Sequence, residues 1–368
     1  MLIVGAGIAG LLMATALKRA GIGYKIIDQA ARLSDEGAGI CLPANAIEGL
    51  QALGLKDTVV QAAQVVERVS YLKPGGEVIT TASLLEPPLN CQPFVALPRR
   101  DLVEIIGRDI LDDICFDCYP VKTINHSSNI SITLNNGDSD RYDLVIAADG
   151  IHSSTRDRQF AKRGTMDLGV GCWRFIVDTP LPQLQPQYYI GRTDAFMLYP
   201  LPNGQVYCYA QAADKHQHYT NADAQPLLQQ LFAHYCPDVR RVIDQAEGII
   251  TGRLESVLSR EVYSGRIVAI GDALHGCPPS LQQGVGLTVE DVLALSAALQ
   301  QDSIEQALAQ FKAARLARLG WVINESNKVI NLASKGNNPL VRMVRNYILR
   351  KHGPANVVAW RKILQHDV

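Results

Sequence analysis

Apolar and polar positions divide the chain into stretches of different period. Leu2-Ile3-Val4 is a short apolar run without alternation, the pattern of a strand buried on both faces. It meets Gly5-Ala6-Gly7-Ile8-Ala9-Gly10, and helical spacing then runs to Ala20. Lys18 and Arg19 suit the last turn, and Gly21 ends the helix. Tyr24-Lys25-Ile26-Ile27 reads as the next strand and stops at Asp28. A glycine-bearing loop, 37–45, leads into helical spacing through Ala46, Leu50 and Leu53. The pattern changes at 66–81, where 69–72 and 78–80 flank Pro74-Gly75-Gly76, a hairpin signal that starts a second sheet. Leu97-Pro98-Arg99-Arg100-Asp101-Leu102 opens another helix.

Strands at 120–124 and 130–134 follow, with a turn at 135–138. The run from Tyr142 to Ala148 is apolar and ends in Asp149-Gly150 and a helix-capping stretch through Arg156. From Gly169 to Ser259 the pattern is β-rich. A hairpin is predicted where 196–199 and 205–209 enclose Pro200-Leu201-Pro202-Asn203-Gly204, with Tyr207 and Tyr209 on one face at period two. Residues 266–270 form a last buried strand ending in Gly271-Asp272, and a helix is expected from Leu287 to about Leu299. The remainder is helical. Between Lys335 and Lys362 it carries seven Lys/Arg and no acid, with apolar Leu340, Val341, Val344, Tyr347, Ile348 and Leu349. That stretch reads as a docked helix with a solvated basic face; contact with an anionic membrane surface stays open beside it.

The opening unit carries chemistry. In a strand–GxGxxG–helix, Gly5 allows the tight turn, Gly7 lets backbone approach a pyrophosphate, and Gly10 brings helix and strand together. The helix N-terminus offers free N–H groups and partial positive charge, and Asp28 has a carboxylate for ribose hydroxyls. A dinucleotide site is expected, FAD or NAD.

Composition trims the alternatives. With 368 residues, 47% hydrophobic and 19% charged, the chain is of ordinary globular make-up and long enough for two domains. A net charge of -1 argues against general nucleic-acid binding. Cys115 and Cys118 lie in a run read as a strand, which puts their sulfurs on opposite faces and disfavours a redox dithiol. A reducing, cytoplasmic setting is expected, because residues 1–17 lack the basic start of a secretion signal and no other stretch suits a membrane span. His216 and His218 have no third ligand nearby, so no metal is expected.

Five motifs in order, "LIVGAGIAG", "GAGICLPANAIEGLQALGL", "LPRRDL", "YDLVIAADGIHSSTR" and "AIGDALHGCPPSLQQGVGLTVEDVLAL", resemble the single-component FAD-dependent aromatic hydroxylases typified by para-hydroxybenzoate and salicylate hydroxylases. The resemblance extends to about Leu319. It implies an α/β fold: a Rossmann-like FAD-binding domain (1–65, 97–160, 262–330), an inserted mainly β substrate domain (66–96, 161–261) and a C-terminal helical segment (331–368). It implies that Gly5, Gly7, Ala9 and Gly10 hold the FAD pyrophosphate and Asp28 the adenosine ribose, with Val121 along the adenine. Arg99 contacts the ribityl–phosphate region, Asp149 and Gly150 sit between FAD and transient NADH or NADPH, and Asp272 binds a ribityl hydroxyl. Gly284, Val285 and Gly286 bring backbone N–H groups to the flavin pyrimidine edge. Pro278 and Pro279 border its reactive face. Relatives often read Gly-Gln-Gly-x-Asn where this chain has Gln282-Gln283-Gly284-Val285-Gly286, so Gln282 alters the loop and Gly286 removes a side chain.

The implied reaction is NAD(P)H-consuming hydroxylation of an aromatic, phenolic or polycyclic small molecule by O2 through a flavin C4a-hydroperoxide. No catalytic side chain is assigned. Arg174, Tyr199, Tyr209 and Pro279 are pocket candidates, and His275 is read as shaping its loop. Two alternatives stay open, an FAD-dependent NAD(P)H oxidoreductase that inserts no oxygen and a non-catalytic flavin-bound ligand-binding protein. A flavin halogenase is disfavoured because Trp173, Trp321 and Trp360 form no W-x-W, and a two-Rossmann Baeyer–Villiger enzyme because only one GxGxxG is present. Oligomeric state is open.

Overall fold

Leu2–Val4 lies at the centre of a sheet and is almost wholly buried. In the computed structural model, which describes all residues except 34–36, 161–163, 182, 220–221, 258–260, 335 and 367–368, six strands form that sheet. Their order is Tyr263–Ser264, Ile267–Ala269, Val145–Ala147, Leu2–Val4, Lys25–Ile27 and Ile114–Cys115. The pairings from Ile267–Ala269 to Ile114–Cys115 are parallel, which suits apolar runs that bury both faces. Val4, Ala147 and Ala269 stand in register, so Gly5, Asp149-Gly150 and Gly271-Asp272 emerge side by side at one edge. That is the carboxyl edge, where open α/β sheets bind ligands. Helices Ile8–Arg19 and Gly284–Gln301 pack together over this sheet.

A second, seven-stranded sheet runs Ile250–Ser256, Met166–Val177, Val206–Ala213, Asp194–Pro200, Gln187–Ile190, Arg68–Leu72 and Val78–Ser83. The hairpins expected at 69–80 and 196–209 are both present in it. Period-two alternation gives the sheet two apolar faces. Trp173, Phe175, Phe196 and Leu198 meet helices Ala224–Leu231 and Pro237–Asp244. Tyr199, Tyr207 and Tyr209 face the other way. A small antiparallel sheet, Gly39–Leu42, Phe94–Pro98 and Gln64–Val66, stands beside them.

Several expectations are corrected. The segment 37–45 contains the strand Gly39–Leu42, because Phe94–Pro98 supplies it with a pairing edge. The β-rich stretch holds two short helices, whose apolar faces (Leu228; Val239, Val242, Ile243) cover the second sheet. The late helix starts at Gly284 rather than Leu287. Cys115 and Cys118 do not share a strand. Ile114–Cys115 ends at once, Asp117 turns the chain with φ +54°, and the two cysteines form a disulfide with Cα atoms 6.0 Å apart.

The basic C-terminal helix Pro339–His352 is docked with Arg350, Lys351 and His352 exposed, as expected, but most of its apolar side chains also face outward. Arg345 and Leu349 are buried, while Leu340, Val344, Tyr347 and Ile348 are exposed. Ser259 and Lys335, which bound two of the sequence stretches, lie outside the described residues. Among the described residues no helix is long and apolar enough to cross a membrane.

Candidate active site

Two adjoining cavities of about 250 and 340 Å³ lie at the carboxyl edge of the first sheet, and both are lined by Gly7, Ala148 and Gly150. The smaller runs past Gly5, Asp28, Tyr119, Pro120, Asp149 and Ser154. The larger runs past Ala9, Gly39, Arg99, Asp272, Gly284 and Val285 to Arg174, Tyr199, Tyr207, Tyr209 and Pro279 of the second sheet's side. One groove therefore gathers residues spread from Gly5 to Val285.

Each part has a local cause. Gly5 adopts φ +105°, and a side chain there would meet the Ala148 carbonyl oxygen at 2.5 Å. The first residue of the helix Ile8–Arg19 follows Gly7, and Leu11 is the first to donate back, to Gly7 O at 2.9 Å. The N–H groups of its first turn are thus left to face the groove. Helix Gly284–Gln301 repeats the device: Leu287 N donates to Gln283 O at 2.9 Å, leaving Gly284 and Val285 with N–H groups at the groove wall.

The acids divide into committed and open. Asp28 accepts from Ala6 N at 2.6 Å and Ala30 N at 2.8 Å, so it ties the glycine turn to the second strand. Each oxygen keeps a further lone pair for a ligand. Asp149 accepts from Thr155 N at 3.0 Å and from the hydroxyl of Ser153, which caps the helix Ser154–Gln159 by accepting from Arg156 N at 2.9 Å. Asp272 is exposed at the larger cavity, and no hydrogen bond engages its carboxylate among the described residues. Neighbouring Cys277 is half-buried at the same cavity, and desolvation with the Asp272 charge pushes its thiol up to about 12.

A buried ionic cluster fixes the Gly271-Asp272 turn from behind. Asp291 accepts from Gly271 N at 3.0 Å, pairs with His275 Nε2 at 2.7 Å and with Arg315 Nε at 2.8 Å. Glu290 bonds Arg315 and Arg318, each at 2.7 Å. Burial opposes ionisation of both acids. His275 and Arg315 overcome it at Asp291, and Arg318 and Arg315 at Glu290, so both carboxyls lie below the usual carboxylate range. Asn45 links this cluster to the loop, donating to Glu290 at 3.2 Å and Gln283 at 2.9 Å.

The other predicted residues are placed less uniformly. Gly10 lies under the turn rather than in the groove; a side chain there would strike Gly5 O. Gly286 is filled from the side, with Asn45 Nδ2 at 2.6 Å from where a Cβ would stand, and it does not line the cavity. Val121 is 51% exposed and lines neither cavity, whereas Tyr119 and Pro120 do. Gln282 lines the larger cavity in a left-handed conformation, φ +51°.

A third cavity, about 100 Å³, shares Met197, Tyr209 and Pro279 with the larger one. Its remaining wall includes Tyr71, Tyr188, Ile190, Arg345 and Leu349, two of them from the C-terminal helix. Arg345 is 3% exposed; it donates to Gly191 O at 3.0 Å, and its Nη1 has no partner among the described residues. Tyr71 and Tyr188 bond Asn356 at 3.2 and 3.0 Å, and Tyr188 also bonds Tyr199. Burial pushes both the Tyr188 and Tyr199 phenols well above their ordinary value. The sequence reading did not reach Tyr188, Asn356, Asn45 or Arg345. Their partners lie as far as 285 positions away, beyond any periodicity.

Comparison with known proteins gives the groove its cofactor. The family model described as "FAD binding domain" matches residues 1–323. The chain belongs to this FAD-binding family. It is 27% identical over 338 residues to the aurachin C monooxygenase/isomerase of Stigmatella aurantiaca, covering 89% of this chain and 88% of that one. It is 25% identical over 359 residues to the 2-heptyl-3-hydroxy-4(1H)-quinolone synthase of Pseudomonas aeruginosa, covering 95% and 93%. The Klebsiella pneumoniae HpxO structure with FAD and uric acid superposes with a TM-score of 0.89 at 23% identity, over 99% of this chain and 96% of that one. The chain is an FAD-dependent monooxygenase.

The groove fits that cofactor. A Cβ built at Gly7, Gly150 or Gly284 would meet nothing within 4 Å, so each presents bare backbone to open space. Two helix N-termini face that space for anionic groups, and Asp28 and Asp272 offer acceptors for hydroxyls.

Proposed function

We propose that this enzyme uses NAD(P)H and O2 to hydroxylate a largely apolar aromatic molecule held in the third cavity and its junction with the larger one. The observation that carries the reading is the shared wall of Met197, Tyr209 and Pro279 between the FAD-sized groove and the apolar pocket. In this reading the first sheet and its helices form the cofactor domain, and the seven-stranded sheet forms the substrate domain.

Bound FAD supplies the redox chemistry, accepting hydride from NAD(P)H and delivering electrons to O2 for insertion of one oxygen atom. The chain's own residues do the rest. Gly7 and the first turn of its helix hold the pyrophosphate, and Asp28 the adenosine ribose. Asp272 takes a ribityl hydroxyl. The N-terminus of Gly284–Gln301 favours negative charge at the adjacent ring edge. Gly150 leaves a gap at the groove wall for the nicotinamide. Tyr199, Tyr207, Tyr209, Met197 and Pro279 exclude water from the reacting face.

Tyr199 stays protonated because burial raises its phenol, so it does not act as a base, and its hydroxyl is engaged with Tyr188. Arg345 Nη1 is a buried donor without a partner among the described residues, and it matches an acidic or carbonyl oxygen on the substrate.

A cavity of about 100 Å³ is smaller than the ~150 Å³ site that holds benzene in an engineered protein. It takes a short alkyl substituent, while the aromatic part of the molecule lies against the tyrosines of the larger cavity. Two relatives are named for aurachin C and a heptyl quinolone, and HpxO was solved with uric acid. The mostly apolar wall here favours the first kind of ligand over a polar purine.

The test is NAD(P)H oxidation by FAD-loaded enzyme across alkyl quinolones, aminohydroxybenzoates, phenols and urate, with peroxide counted. An alkyl-substituted bicyclic aromatic is expected to accelerate oxidation with little peroxide and to gain one oxygen by mass. Stoichiometric peroxide with every compound, or urate as the best substrate, refutes the reading.

A further inference from the structure

Helix Pro339–His352 carries a large apolar face with nothing against it among the described residues. Leu340, Met343, Val344, Tyr347 and Ile348 are 67, 63, 52, 64 and 45% exposed. Their spacing places all five on one side of an α-helix. The helix is well made at its start. Asn338 caps it by accepting from Leu340 N at 2.9 Å and Val341 N at 3.4 Å, and Pro339 follows the cap. Its inner side is held as well, by Arg345 on Gly191 O and by buried Leu349. The exposed face is therefore fixed outward by packing on the other side.

The charges along this stretch of chain have one sign. Arg350, Lys351 and His352 end the helix in exposed positions, and Lys362 is exposed on the next helix, Ala355–Leu364. From Gly336 to His366 the sequence contains no Asp or Glu. An apolar helical face whose own stretch of chain carries cations and no acid complements a negatively charged lipid surface, which takes the apolar side chains below its headgroups and attracts the bases. The same face of a second copy complements it poorly, because the stretch 336–366 brings the same cations and no carboxylate.

We propose that this face seats the enzyme on an anionic membrane surface. The inner side of the same helix contributes Arg345 and Leu349 to the third cavity. If that cavity holds the substrate, as the reading above has it, lipid-dissolved aromatics reach it at the bilayer boundary. Docking itself does not depend on that clause.

The test uses FAD-loaded full-length enzyme and sedimentation with phosphatidylcholine vesicles, with and without ~30% phosphatidylglycerol. Two variants are compared: Met343→Asp/Tyr347→Asp, and Arg350→Glu/Lys351→Glu. All four positions are exposed, so FAD content and melting temperature are expected to stay as in the parent. The parent is expected to partition onto anionic vesicles at least about tenfold more strongly than onto neutral ones, and each double variant to lose at least about tenfold of that binding. Equal partition of parent and variants, or no preference for anionic lipid, overturns the proposal. So does a lipid-free dimer that Met343→Asp/Tyr347→Asp converts to monomer, which would assign the face to a second copy. Because the readout is sedimentation, it stands whether or not the tested aromatics are turned over.

Discussion

Asp291→Asn is the sharpest test of how the fold holds the Gly271-Asp272 turn. Asp291 is fully buried, and its two oxygens accept from Gly271 N, His275 Nε2 and Arg315 Nε at 3.0, 2.7 and 2.8 Å. All three partners are donors when His275 carries its proton on Nε2. An amide must turn its NH2 toward one side of that set, setting donor against donor, and the change also removes the charge that Arg315 shares with Glu290. Breaking a buried pair from one side costs about 3–5 kcal/mol. That is a large part of a net stability of roughly 5–15 kcal/mol.

At the low end of about 2–4 °C per kcal/mol, suited to a chain this long, the melting temperature falls by roughly 6–10 °C. Released from Asp291, Gly271 N no longer fixes the start of the helix Asp272–His275, so FAD retention falls with stability. The assay is thermal unfolding of apo and FAD-loaded protein, with flavin absorbance per chain after gel filtration. A variant that melts like the parent and keeps its full FAD content would refute the argument that this cluster positions Asp272.

The same cluster gives a pH dependence. Asp291 and Glu290 titrate below their ordinary values of 3.8 and 4.5 in the fold, so the unfolded chain takes up protons first as pH falls. Their contribution is complete above about pH 4.5 and is lost as pH drops through the lower folded values. Urea midpoints at pH 7, 5 and 3.5 check it, and an unchanged midpoint at pH 3.5 contradicts it. Asp272→Ala, at an exposed carboxylate without a hydrogen-bond partner among the described residues, is expected to weaken FAD retention while moving the melting temperature of the apoprotein by no more than about 0.5 kcal/mol equivalent. Equal FAD content in the variant would remove Asp272 from the cofactor site. Gly39→Ala places a Cβ 2.3 Å from Tyr207 Cγ, and the buried ring must move toward the groove. A loss of about 1–3 kcal/mol in urea and weaker FAD binding are expected; a variant like the parent in both would show that the ring has room to spare. Arg345→Met should raise KM for aromatics bearing an acidic oxygen by about 10–100-fold, leave neutral analogues near the parent, and spare FAD content. A uniform loss across both ligand kinds would mean that Arg345 only packs.

Much of the cofactor groove was legible in the sequence because its determinants are local. An apolar run too short for a helix, a glycine where φ must be positive, and an acid just past the strand are properties of a few consecutive residues. Three such units were read at Gly5, Asp149-Gly150 and Gly271-Asp272, and the parallel sheet brings them to one edge. The hairpins at 69–80 and 196–209 were legible for the same reason, since turn residues and period-two alternation are short-range signals.

Tertiary structure decided what covers each face. The sequence showed Leu340, Val341, Val344, Tyr347, Ile348 and Leu349 as apolar positions of one basic helix; only the packing of Arg345 and Leu349 shows that Leu340, Val344, Tyr347 and Ile348 face outward. Alternation put Cys115 and Cys118 on opposite faces of a strand, and the turn at Asp117 undid it. Asn45 fills the space beside Gly286, and Asn356 reaches Tyr71 and Tyr188, through contacts between positions more than 160 residues apart. A sequence carries the period of each element, but the energy of burying a face depends on a partner that arrives only when the chain has folded.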